Sequence, residues 1–213
     1  MVLNNNRERQ RTRVVYVPVN TGGGSGGGSQ AKIKVGENGI KFTNSTFTEI
    51  PQIFDFSDVT DMKYMFQYCS NLTTLPEMDT SKVTTMENLF RNCTSLINIS
   101  EIDTSNVTSM RYMFANCSSL TTVPEMDVSN VANIDYIFSS CPSLTDLGGF
   151  IGLKLNLDLS YCSNLTHNSI MNVINKAAEV TASSRRLSLG SDNLAKLTDE
   201  EKAVATNKGW ILA

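Results

Sequence analysis

The chain has 213 residues, of which 40% are hydrophobic and 18% charged, with a formal net charge of -3. That balance excludes a wholly disordered chain, and no run approaches the roughly 18 apolar residues of a membrane helix. The charge is uneven: residues 1–29 hold four Arg and one Glu, a balance of +3, which leaves -6 for the rest. A basic tail on an acidic body points to two surfaces with different partners.

Residues 1–20 form a basic arm that ends in "RTRVVYVPVN". No apolar run of 7 to 15 residues follows its first basic residues, so it does not read as a signal peptide. The β-branched Val14, Val15 and Val17 favour an extended strand, and Pro18 restricts that strand to an edge or an end. Four alternating arginines could face nucleic acid. The acidic body opposes a phosphate backbone, however, and no aromatic residues are interspersed for stacking. The expectation is therefore an anchor to an acidic protein surface, carried by Arg7, Arg9, Arg11, Arg13, Val15, Tyr16 and Val17. In that anchor the strand is added to the partner's sheet edge. Residues 21–29, "TGGGSGGGS", are a flexible Gly/Ser linker.

Residues 30–58 read as an N-terminal cap with a partial repeat. "AKIKVGENGIKF" predicts a hairpin, because alternating apolar residues flank a Glu-Asn-Gly turn. "FTEIPQIFDFSDV" then aligns with "LTTLPEMDTSKV", pairing Ile50 with Leu75 and Pro51 with Pro76.

From Val59 to Leu165 the chain repeats itself. "KYMFQYCSNLTTLPEMDTSKV" begins at Lys63, "ENLFRNCTSLINISEIDTSNV" at Glu87, "RYMFANCSSLTTVPEMDVSNV" at Arg111 and "DYIFSSCPSLTDLGGF" at Asp135, an offset of 24 each time. A constant period of that size marks units that bury their apolar faces only against their neighbours. Val83, Met86, Leu89, Phe90 and Cys93 stand at helical spacing. Thr84 precedes Glu87 by a capping-box interval. Leu96, Ile99 and Ile102 read as a short strand and "IDTSN" as a turn. Each unit is thus expected to be helix, strand, turn, which gives a parallel sheet on one side and helices on the other.

These units, "VTSMRYMFANCSSLTTVPEMDVSN" from Val107 to Asn130 above all, resemble the BspA-like leucine-rich-repeat surface proteins. The resemblance covers residues 59–147 strongly. It implies an α/β leucine-rich-repeat solenoid with short parallel strands on one face and helices on the other. It also implies adhesion to proteins or glycans rather than catalysis, on surfaces of bacteria and protists or in virions of tailed bacteriophages.

Residues 166–213 break the period and read as a C-terminal α/β cap. "SIMNVINKAAEV" is helical and "RRLSLGS" strand-like. Thr198 with Glu201 makes a capping box, and Gly209 is a helix C-cap.

Recurring chemical groups are read first as scaffold. Cys69, Cys93, Cys117, Cys141 and Cys162 are expected to be reduced core residues, although the spacing of adjacent parallel strands would not forbid a disulfide. Asp79, Asp103 and Asp127 form one column and Glu77, Glu101 and Glu125 another. A glycosidase needs two unlike carboxylates at one place, not equal copies. The Asp column is expected to accept backbone N–H groups at its turns, and calcium between the columns is the alternative. His167 is the chain's single His and lacks partners for a triad.

The positions that vary, Thr73, Thr74, Asn98, Thr121, Thr122 and Asp146, are the candidates for binding, and with Glu77, Glu101 and Glu125 they should line the exposed face of the sheet. The combined expectation is a non-enzymatic adhesion or display protein without cofactor or metal, acting on neither nucleic acid nor membrane, and homo-oligomeric. Its arm would hold a capsid or other virion protein, and its repeats a host-surface glycan or protein. The placement expected is a virion surface, with a secreted bacterial cell-surface adhesin as the alternative.

Overall fold

The computed structural model describes residues 3–4, 33–35, 41–42, 47–181 and 185–213. The Arg-rich arm from Arg7 to Val17 and the glycine linker lie outside them. The first four strands are β1 (Leu3–Asn4), β2 (Ile33–Lys34), β3 (Lys41–Phe42) and β4 (Phe54–Asp55). Within the repeats come β5 (Thr122–Val123), β6 (Met126–Asp127), β7 (Asp146–Leu147) and β8 (Phe150–Ile151). The cap holds β9 (Leu157–Asp158), α1 (His167–Lys176), β10 (Arg186–Ser188), α2 (Gly190–Leu194), α3 (Asp199–Asn207) and β11 (Ile211–Leu212).

Successive units lie in parallel at the sequence period. β5 pairs with β7 as Thr122 with Asp146, and β6 with β8 as Met126 with Phe150. Single bridges join Asp61 to Thr85, Thr85 to Ser109 and Ser109 to Asn133. The apolar residues of each unit stack on their equivalents. Phe66 and Phe90 lie 5.6 Å apart, Phe90 and Phe114 5.6 Å, and Phe114 and Phe138 5.5 Å, with nearly parallel rings. All four rings are fully buried.

The helices expected in each repeat are not formed; tight turns take their place. In the second unit Leu89 N–H donates to Met86 O at 3.2 Å, Cys93 to Phe90 at 3.0 Å and Leu96 to Cys93 at 3.1 Å. The intervening N–H groups leave the unit: Met86 donates to Ser109 O, Asn88 to Arg111 O, Phe90 to Met113 O and Asn92 to Ala115 O, each at 2.9 Å. A helix would direct every N–H inward to the fourth preceding carbonyl. Here half of them bind the next unit instead. The Thr84–Glu87 capping box therefore has no helix to cap. Glu87 accepts from the Ser109 hydroxyl at 2.7 Å and pairs with Lys63.

Two residues per unit carry the turns through left-handed backbone: Tyr64 and Tyr68, Asn88 and Asn92, Tyr112 and Asn116, Tyr136 and Ser140, with φ from 54° to 64°. Each is the third residue of its turn, the place a type II turn assigns to a positive φ. Asn tolerates that region, whereas other L-residues are strained there by about 1–2 kcal/mol.

Among the described residues, the two arms of the expected hairpin do not pair with each other. β2 pairs in parallel with β4, and β3 pairs antiparallel with β1. Phe42 lies 24 residues before Phe66 and stacks on it at 5.2 Å. Its N–H donates to Met65 O at 2.7 Å, the bond that Phe66 makes to Leu89 O one unit on. The aromatic column thus claims Phe42 as its first member.

In the cap β9, β10 and β11 form one parallel sheet in the order β11-β10-β9. Thr198 and Glu201 form the capping box of α3, and Gly209 turns the chain out of that helix with φ 87°. Trp210 is buried and donates its indole N–H to Ala178 O at 2.9 Å. No described helix is long and apolar enough to cross a membrane.

Candidate binding surface

Most of the recurring polar groups are bound within the stack. Asp79 Oδ1 accepts the Ser81 N–H at 3.1 Å and its hydroxyl at 2.6 Å, and Asp103 treats Ser105 alike at 2.9 and 2.6 Å. The Ser hydroxyl and then the backbone bond hold both carboxyls below the ordinary value. Asp127 accepts the Ser129 N–H at 2.9 Å. Thr80 and Thr104, both buried, donate to the carbonyls of Asp103 and Asp127 at 2.9 Å. Asn106 and Asn130 hold the carbonyls of Ser81 and Ser105 in the preceding unit.

The five cysteines are buried thiols outside any disulfide and are used in the same way. Cys93, Cys117 and Cys141 each donate the thiol hydrogen to a Phe carbonyl of the preceding unit at 3.1 Å, and Cys69 donates to Phe42 O at 2.8 Å. Burial raises the thiols of Cys93, Cys117, Cys141 and Cys162 far above the ordinary value, Cys141 to about 12. Such thiols are neither nucleophiles nor ready metal ligands.

Of the nine positions expected on the sheet face, seven are exposed: Thr74, Glu77, Asn98, Glu101, Thr122, Glu125 and Asp146. Asn98, Thr122 and Asp146 are joined through parallel pairs, and Thr74 pairs with Glu49. Thr73 and Thr121 are only half-exposed. Their hydroxyls donate to Thr48 O and Ile97 O at 2.9 and 3.0 Å, so both are bound within the scaffold. Glu125 pairs with Lys176 of α1, which also donates to Gly148 O at 2.6 Å. Asp146 lies 3.4 Å from the Ser169 hydroxyl. Ile97 is 45% exposed beside Asn98 and gives this face an apolar member. At its N-terminal end Gln52, Phe54, Leu75, Pro76, Glu77 and Ser100 line an open cleft of about 600 Å³.

A second face follows the left-handed turns, and it was not singled out for binding from sequence. Lys41 and Lys63 lie over the Tyr64 ring at 4.9 and 5.3 Å, and Arg91 and Arg111 over Tyr112 at 4.9 and 4.7 Å. Tyr112 stacks on Tyr136 at 4.9 Å with the rings 7° from parallel. The equivalent Asn88 is buried and accepts from Arg91 at 3.3 Å. The 24-residue column Tyr64, Asn88, Tyr112, Tyr136 was the available signal for this face.

His167 opens α1 and bonds Glu201 of α3 at 2.8 Å, a contact between cap elements. Thr166 caps the same helix by accepting the Ser169 N–H at 3.2 Å.

A face built from repeated units, with its polar scaffold atoms internally bound, defines a repeat protein. Residues 39–148 match the family described as Mycoplasma protein of unknown function, DUF285, and the chain belongs to that family. No match was found among curated proteins or among solved structures.

Proposed function

We propose that this chain is a non-enzymatic adhesion and display protein built as a leucine-rich-repeat solenoid. The row Thr74, Asn98, Thr122 and Asp146, with Ile97 and the carboxylates Glu77 and Glu101, is its receptor-binding face. The observation that supports this reading is the contrast between columns. The cysteine column, whose thiols bind the preceding units, keeps one residue type from Cys69 to Cys141, while the exposed row changes from Thr to Asn to Thr to Asp. A surface of mixed donors and acceptors with one apolar member suits a glycan or a polar protein patch. The basic arm, set off by its linker, suits attachment to an acidic partner, as in a bacteriophage virion. The match to a family described from a bacterium favours attachment to a bacterial cell surface as the second reading.

The test uses the full chain, fluorescently labelled, on candidate host cells. Thr122→Arg places a long cation at the centre of the row without touching the core, and is expected to abolish attachment. Unchanged attachment by Thr122→Arg would rule this face out. For the arm, deletion of residues 1–20 should remove the protein from virions if it anchors there; retention would show that the arm is not the anchor.

A further inference from the structure

We propose a monosaccharide-binding site in the cleft between the fourth repeat and the C-terminal cap, with Tyr136 as its stacking platform. The cleft has a volume of about 290 Å³, near the lower end of the roughly 300–1,000 Å³ of small-molecule sites. That suits one sugar ring rather than an extended chain. Asp135, Tyr136, Asn156, Asp158, Arg186 and Ser188 line it.

The cleft exists because the stacking fails at this joint. In the third unit the N–H groups of Met110 and Tyr112 donate to Asn133 O and Asp135 O at 2.8 and 3.0 Å. Among the described residues, no carbonyl accepts from the equivalent Ile134 and Tyr136. β9, which would supply those carbonyls, turns instead to β10. The thiol contact across the same joint lengthens, from 3.1 Å for Cys141 to 3.8 Å for Cys162. One unit's edge is thus opened beside a small cleft of mixed lining, in which Ile134 and Leu157 lie among the polar groups.

Tyr136 is 55% exposed. One face of its ring rests on Tyr112, and Tyr136 is among the residues that line the cleft. The axial C–H face of a hexopyranose is apolar and matches the electron-rich face of an aromatic ring. Its equatorial hydroxyls need donors and acceptors together. The Arg186 side chain and the Ile134 and Tyr136 N–H groups supply donors, and the exposed carboxylate of Asp135 supplies an acceptor. Asp158 is engaged with Ser160, and Asn156 Oδ1 accepts the Arg186 N–H at 2.9 Å, which leaves its amide hydrogens free for the ligand. Two carboxylates against one guanidinium leave the cleft net negative, which disfavours an acidic sugar and favours a neutral hexose or N-acetylhexosamine.

This site is separate from the sheet face, so the two stand or fall independently. The experiment is saturation-transfer NMR on the full chain with the methyl glycosides of glucose, galactose and N-acetylglucosamine as probes. At least one should receive saturation, strongest on its axial C–H protons. Tyr136→Asn removes the ring yet keeps a residue that accepts left-handed backbone, as Asn88 does at the equivalent position. It is expected to weaken binding about tenfold or more, while Tyr136→Phe and Thr122→Arg bind as the parent does. Absence of transfer to all three probes, or equal transfer with Tyr136→Asn, refutes the site.

Discussion

Raising the pH should unfold this protein through its thiol ladder. Cys93, Cys117, Cys141 and Cys162 are fully buried, and desolvation is the main cause that raises each above the ordinary 9.0. Above that ordinary value the unfolded chain releases thiol protons that the folded chain keeps. The unfolded state then binds fewer protons, so stability falls as pH rises. The loss is absent well below 9 and for Cys141 continues until about 12. At one pH unit above the ordinary value each retained proton costs about 1.4 kcal/mol, so four cost about 5–6 kcal/mol. Since a domain has only about 5–15 kcal/mol in total, that loss is comparable with the whole. Urea titrations at about pH 7.5 and about pH 10, followed by circular dichroism and by the single Trp210, measure the difference. The discriminating comparison is with Cys117→Ala, which removes one buried thiol and leaves every other ionisable group in place. Its pH-dependent drop should be smaller than the parent's by about 1.4 kcal/mol. An equal drop in the two proteins would show that the buried thiol is not the source.

Two further substitutions probe the stack. Phe90 is fully buried between Phe66 and Phe114, so Phe90→Ala should destabilise the protein by about 3–5 kcal/mol in urea unfolding. A loss below about 1 kcal/mol would contradict the continuous aromatic column. Ser140 is exposed at φ 60°. Ser140→Gly relieves about 1–2 kcal/mol of backbone strain against about 0.5–1 kcal/mol of added chain entropy. A rise in Tm of about 1–4 °C is expected by calorimetry, and a fall would contradict the left-handed turn.

The period of 24 was plain in the sequence, and the residues it puts in register, such as Met65, Phe66, Cys69 and Leu72, are buried together. What the sequence concealed was how the chain passes between them. Apolar residues at offsets 0, 3, 6, 7 and 10 satisfy a helical stripe, but tight turns in succession produce the same spacing. The distinguishing mark was Asn at 88, 92 and 116, a residue that helices disfavour and left-handed turns accept. Tyr at 64, 112 and 136 hid that mark, because its strained backbone is accompanied by ring stacking and overlying cations that only the assembled units provide. The Asn-Gly of residues 38–39 misled in a similar way. It is a strong local hairpin signal, yet Phe42 sits at the period of Phe66 and the column outweighs the local pairing. On the candidate face, exposure at Thr74 and Thr122 followed from the repeat. The internal bonds of Thr73 and Thr121 did not, because adjacent Thr residues look alike until their hydroxyls find carbonyls.

A stack of near-identical units constrains where specificity can reside. Parallel neighbours stand about 4.8 Å apart, so any column of one residue type presents the same group at a spacing that every similar protein shares. The Thr80–Thr104 and Asn106–Asn130 columns use this regularity to bind unit to unit, and substituting them would disturb the stack before it altered a ligand. Selectivity needs positions that can change without that penalty. The row through Thr74, Asn98, Thr122 and Asp146 qualifies because its side chains are exposed, and among the described residues only Asp146 touches another element, at the Ser169 hydroxyl. The joint at Tyr136 qualifies for the opposite reason: the regular bonding stops there, and donors that are spent elsewhere become free. Uniformity thus makes the scaffold, and binding is left to the places where the uniformity is varied or broken.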